Sequence, residues 1–283
     1  MIPTRTRRSI VEDLDDGVSG FLQKQKTYEI KLFWPSIIAF VYLHLSAVYG
    51  LWLLLTVAEY GTVMFGVVST VIGVVGVLAG SYRLWVHRTL KADYLSRICL
   101  MLFNTTTSLQ TVKQWALDQR LHSVYENTDA DPFNPERGFF FSHYGWFLCE
   151  RQPTIKAATS KIDVSDLEAD EVVQLQEKHF YILMPLLSFI LPTFFCWYFC
   201  GDTLMNAWHI AAMFRFALSW FVLGKGWDKH QRVFYNLDLK LASAFFNMCM
   251  VGNFDDDQNE NQGEGDEINE ETDPSTVFDK KEN

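Results

Sequence analysis

The chain has 283 residues, 49% of them hydrophobic and 15% aromatic, with the apolar residues gathered in long charge-free blocks; this pattern points to a membrane and away from nucleic acid. The formal net charge of −10 is local, because residues 255–283 hold twelve acids and two lysines and the rest of the chain balances at zero. Residues 252–283 therefore read as an acidic disordered tail.

Residues 1–31 are polar and charged, with no cleavable signal peptide in view, and read as a cytosolic N-terminal segment. Between Lys31 and Glu59 lie 27 residues without Asp, Glu, Lys or Arg, which predicts a first transmembrane helix over 32–58. Pro35 is tolerable in its first turn, where the missing N–H has no intrahelical partner anyway. A second span over 60–82 follows after a tight turn, and Gly73, Gly76 and Gly80 along it allow close helix contact. Residues 98–112 are uncharged but too short to span comfortably, and predict a re-entrant or interfacial segment. Its Asn104-Thr105-Thr106 sequon is expected to stay unmodified there. The third span is predicted over 179–201, kinked by Pro185 and Pro192. The fourth, over 203–224, is weakened by Arg215, which costs about 2.5–3.5 kcal/mol at a helix centre and less if it snorkels. An interfacial helix is expected over 237–251.

Six lysines and arginines precede the first span, none lies in either inter-span turn, and eleven lie between Arg83 and Lys178. The positive-inside rule then puts both termini and the central segment in the cytosol. The five cysteines show no CxxC pattern and read as reduced thiols. The ending Lys280-Lys281-Glu282-Asn283 has the form of a dilysine retrieval address of endoplasmic reticulum membrane proteins, read by receptors on the cytosolic side; a plain charged terminus is the alternative.

The run Asn127 to Leu148, NTDADPFNPERGFFFSHYGWFL, together with WALDQRLHS at 115–123, resembles the membrane acyl-CoA desaturases of the stearoyl-CoA Δ9 type. The resemblance implies an all-α membrane protein of four transmembrane helices with a cytosolic helical cap over 83–178 and 225–251. It also implies a multi-pass location in the endoplasmic reticulum membrane and a di-iron centre held by three histidine boxes, with cytochrome b5 as the electron donor of active members. Against that pattern the first box reads Tyr82-Arg83-Leu84-Trp85-Val86-His87-Arg88 and the second Gln119-Arg120-Leu121-His122-Ser123. The third reads Asp228-Lys229-His230-Gln231-Arg232, without histidine at the ligand places. His87 and His122 are the surviving metal-ligand positions, so the site is expected to be incomplete or empty of iron; a mononuclear site with Asp228 is the alternative.

On the substrate side the resemblance assigns Trp146 to the acyl tunnel and Arg151 to CoA binding, while Leu117 and Glu150 stand where further basic groups are expected. The implied partners are membrane lipid, a fatty acyl chain or weakly held acyl-CoA, and an active desaturase paralogue; the aromatics of the run read equally as cap core. Three functions stay open: a catalytically impaired desaturase homologue, an active oxygen-dependent acyl-CoA desaturase, and a truncated non-functional product.

Overall fold

A computed structural model describes residues 31–107 and 109–224. The third-box stretch with Asp228 and His230, the helix expected over 237–251, the acidic tail and Lys280-Lys281 lie outside the described residues. The described part is helical, with one isolated antiparallel bridge, Leu32 to Cys149. In chain order the elements are α1 (Trp34–Thr56), α2 (Tyr60–Val86), α3 (Tyr94–Thr105), α4 (Val112–Tyr125), α5 (141–148), α6 (Pro153–Thr159), α7 (Ser165–Ala169), α8 (Glu171–Phe199) and α9 (204–223).

Three helices, α1, α2 and α8, with 23, 27 and 29 residues, are long and apolar enough to cross a membrane. In α1 the buried positions Ser36, Leu43, Ser46, Ala47, Gly50 and Leu53 follow the helical period along one face. The opposite face exposes Ile38, Leu45, Val48 and Leu55, an apolar surface suited to lipid. The fourth expected span, 203–224, is a continuous helix at 204–223, but Asn206, His209 and Arg215 dilute its apolar character and it is not one of the three.

Small residues set the closest helix contacts, as the glycine pattern predicts. A Cβ on Gly76 would lie 2.3 Å from the Asn104 backbone nitrogen, and one on Gly50 would lie 2.2 Å from the His209 carbonyl oxygen. Gly76 thus lets α2 touch α3, and Gly50 lets α1 touch α9. From Gly76 to Val86, α2 widens into π-helical turns. The third span begins earlier than expected, at Glu171, with Asp170 as its N-cap; the Asp170 side chain accepts from the Val172 and Val173 amides. After Pro185, which has no N–H to donate, the ladder passes through a π-helical turn at Leu186–Ile190.

The expected segment 98–112 divides into the end of α3, a short connection and the start of α4. Of its polar residues, Asn104, Thr105 and Thr107 are buried inside the protein. Asn104 donates from Nδ2 to Ser81 Oγ (2.7 Å), Thr105 is fully buried, and Gln176 donates from Nε2 to Thr105 Oγ1 (2.7 Å). Gln176 Oε1 in turn accepts from the Val112 amide (2.7 Å), one of the first-turn donors of α4 that has no partner within its own helix. The sequon asparagine is therefore enclosed. Arg215 does not snorkel. It is 2% exposed and donates to three carbonyls: Ala211 (2.9 Å), Thr106 (3.1 Å) and Ser188 (2.7 Å). Ser188 Oγ donates to the Thr105 carbonyl (2.9 Å). The carbonyl end of α3 is thus met by a cation and a hydroxyl, which satisfies terminal acceptors and suits the helix dipole. Irregular backbone at this depth is tolerable because protein groups complete its hydrogen bonds.

Candidate metal centre and acyl face

The second-box stretch lies on α4, where Thr111 caps the N-terminus by accepting from the Gln114 amide (3.1 Å). His122 is nearly buried, and its Nδ1 lies 2.8 Å from Asp131 Oδ1. Asp131 is fully buried and also accepts from the Phe133 amide at Oδ1 (2.9 Å). If Nδ1 donates to Asp131, the Nε2 lone pair is the ring's remaining acceptor, an arrangement that orients a histidine for metal binding. The two flanking positions supply no imidazole. Gln119 is buried, and Ser123 Oγ donates to the Gln119 carbonyl within the helix (3.0 Å). His87 ends α2 as an exposed residue whose ring packs edge-on against Tyr82, with centroids 4.4 Å apart. Among the described residues no group of three or more His, Cys, Asp or Glu side chains converges as a metal site requires. The described donor set does not fit a pair of irons, which needs several imidazoles around each ion.

Trp146, which the resemblance assigns to an acyl tunnel, packs edge-on against Phe133 (centroids 5.1 Å) and borders two small cavities. One, about 50 Å³, is also lined by Trp115, Gln119, His143 and Trp220. It has room for a few water molecules and none for a long acyl chain, since small-molecule sites run to about 300–1,000 Å³. Beyond these cavities the rings pack closely, and Phe147 also contacts Trp146 edge-on at 6.0 Å. Tyr144 and Phe147 both contact Trp220 edge-on at 5.2 and 5.3 Å, and His143 stacks on Phe139 at 5.1 Å. Burial lowers the His143 pKa from its ordinary value, favouring the neutral ring.

Arg151 is turned inward. Its guanidinium pairs with both oxygens of the fully buried Asp118, which also accepts from Gln110 (2.9 Å) and Gln114 (3.1 Å). Burial raises the Asp118 carboxyl above its usual range, against the pull of Arg151 and the two amides. Arg151, which the resemblance assigns to CoA binding, is thus paired with an internal carboxylate. Leu117 is half-buried and Glu150 exposed, the latter held by its amide on the Lys31 carbonyl (2.9 Å).

Sequence reading missed Asp118, Asp166, Asp170 and Gln176, whose partners are far away in the chain. Asp170 carried a local signal, an aspartate directly before an apolar helical run. Asp166 accepts from Arg120 at 2.6 and 2.8 Å and from Arg88 at 2.6 and 3.0 Å. Burial works to raise the Asp166 carboxyl, but the hydrogen bonds and charges of Arg120 and Arg88 prevail and hold it at about 2. The four described cysteines, Cys99, Cys149, Cys196 and Cys200, are free thiols.

No family model matches the chain. Individual relatives do. It is 40% identical over 195 residues to the acyl-CoA Delta12-desaturase of Acheta domesticus, covering 69% of this chain and 55% of that protein. It is 37% identical over 229 residues to human stearoyl-CoA desaturase, covering 80% of this chain and 63% of that protein. With the Delta(9)-fatty-acid desaturase fat-6 of Caenorhabditis elegans it shares 39% identity over 196 residues, 69% of this chain and 58% of the relative. The chain spans little more than half the length of these curated relatives. Over the residues it shares with them, the chain is similar to acyl-CoA desaturases.

Proposed function

We propose that the chain is a desaturase-family membrane scaffold of the endoplasmic reticulum, associated with fatty acid metabolism, that does not by itself carry out iron-dependent desaturation. The observation that carries this reading is the surroundings of His122. It keeps the Asp131 hydrogen bond expected of a ligand histidine, yet Gln119 and Ser123 occupy the neighbouring ligand positions and no further donors converge among the described residues. Iron would be the group that supplies oxygen chemistry in the family; the described residues do not form its site. The small size of the cavities beside Trp146 and the Asp118–Arg151 pair argue against tight acyl-CoA binding, which leaves membrane lipid and an active desaturase paralogue as the favoured partners.

The rival reading is an active Δ9-type acyl-CoA desaturase fed by cytochrome b5, favoured by identities near 40% to named desaturases. Expression in a desaturase-deficient yeast separates the two. The scaffold reading expects no growth without added unsaturated fatty acid. Growth rescue with new monounsaturated acyl chains by mass spectrometry would establish the enzyme and end the scaffold proposal.

A further inference from the structure

We infer that the frame joining the end of α2 to α4 is closed by the acidic segment 163–170 instead of by a shared metal, so that the described domain holds together metal-free. The inference rests on the ligand-poor reading above and adds what replaces the metal mechanically. A metal bound by two chain segments cross-links them and contributes folding free energy. Here the same two segments converge on carboxylates.

Asp166 is the centre. It binds Arg88, just beyond the end of α2, through Nε (3.0 Å) and an Nη (2.6 Å), and it binds Arg120 of α4 through both Nη atoms (2.8 and 2.6 Å). Arg120 also reaches directly across the joint, donating to the Trp85 carbonyl of α2 (2.6 Å) and to the Asp163 carbonyl (2.8 Å). Asp170 adds a second tie. Its Oδ2 accepts from Trp85 Nε1 (3.1 Å) and from Arg97 of α3 (3.1 Å), while Oδ1 caps α8 through the Val172 amide (2.9 Å). Between the two acids, Leu167 is fully buried in one apolar cluster with Trp85, Ala116, Val172 and Val173. The acids are therefore fixed from below by packing and do not have to be ordered to form their bonds. Isolated surface pairs contribute little, but forked arginine–carboxylate bonds sharing one acceptor, with the Arg120 side chain 12% exposed, form a network in which geometry is already set. Four helices and the ends of two expected ligand segments meet in this acidic stretch.

The test uses the full chain purified in detergent, with thermal unfolding followed by tryptophan fluorescence. Samples are measured in chelator and after anaerobic loading with ferrous iron, and bound iron is assayed on the same samples. The wild type is expected to melt at one temperature in both conditions. Asp166→Asn is expected to melt about 5 °C lower, and Arg88→Gln, altered at the most exposed arm, to fall between them; iron restores neither. A wild-type melting temperature that drops in chelator or rises with iron overturns the inference, and so does Asp166→Asn melting like wild type. If Asp166→Asn fails to accumulate folded, Arg88→Gln decides, and an unchanged melt overturns. Iron bound near two per chain would defeat the ligand-poor reading itself, whereas iron-free protein indifferent to Asp166→Asn would defeat only this inference.

Discussion

Two polar regions of the molecule share α4 and differ in how completely they are satisfied. At the inner end of α3, Asn104, Thr105, Gln176, Ser188 and Arg215 each hydrogen-bond within the protein, although they lie among apolar spans. Around His122, one oxygen of the buried Asp131 has no hydrogen-bond partner, and the nearby Gln119 and Ser123 offer an amide and a hydroxyl that bonds back to its own helix. Buried polar groups in hydrocarbon surroundings are costly unless paired, so the junction has to be complete for the fold to exist. The junction is thus complete in its hydrogen bonds where the surroundings of His122 are not.

Replacing Arg215 should have the largest effect. Arg215→Met leaves the Thr106 and Ser188 carbonyls without their donor, at about 1–3 kcal/mol each, so a loss of several kcal/mol or failure to accumulate folded protein is expected. A variant as stable as wild type in chemical denaturation would show that the junction is not the support described. Gly76→Val drives a side chain into the Asn104 and Phe103 backbone, and overpacking of this kind costs about 1–3 kcal/mol; stability measured beside Gly66→Val, whose position is open, isolates the contact. His122→Gln should be milder, about 1–2 kcal/mol for the loss of one buried bond to Asp131, and equal in the presence and absence of iron. A larger loss seen only with iron present would reveal a working ligand. The smallest effect belongs to pH. Because the folded Asp166 carboxyl is held at about 2, below its usual 3.8, its contribution is fully present above the usual value and fades as pH falls through about 2. The melting temperatures of wild type and Asp166→Asn should therefore differ at neutral pH and converge near pH 2.

Much of this arrangement is legible in the chain. Charge-free blocks locate α1 and α2, the Gly76 position marks the closest approach of α2 and α3, and the polar residues at 104–107 mark a segment too polar to face lipid. Arg215 stands out as an ionisable residue in an apolar run, and such a residue turns inward when acceptors are there to meet it. Its acceptors are not legible, because the Thr106 and Ser188 carbonyls come from elements 109 and 27 residues away. The acidic segment is invisible for the same reason: Asp166 meets arginines 46 and 78 residues earlier, at no fixed spacing. The resemblance singles out His87 and His122, and the structure shows His122 beside Asp131 and His87 exposed against Tyr82. What cannot be read from the resemblance is that Arg151 turns to the buried Asp118 and that the cavities beside Trp146 are small, because both depend on how α4 and α5 pack.

The central claim, that the described donor set does not hold a pair of irons, is tested most directly by metal content. The full chain, purified in detergent after anaerobic ferrous loading and desalting, should carry iron far below two atoms per chain by inductively coupled plasma mass spectrometry. His122→Gln should not lower the value further. Two tightly held irons per wild-type chain, lost in His122→Gln, would contradict the account.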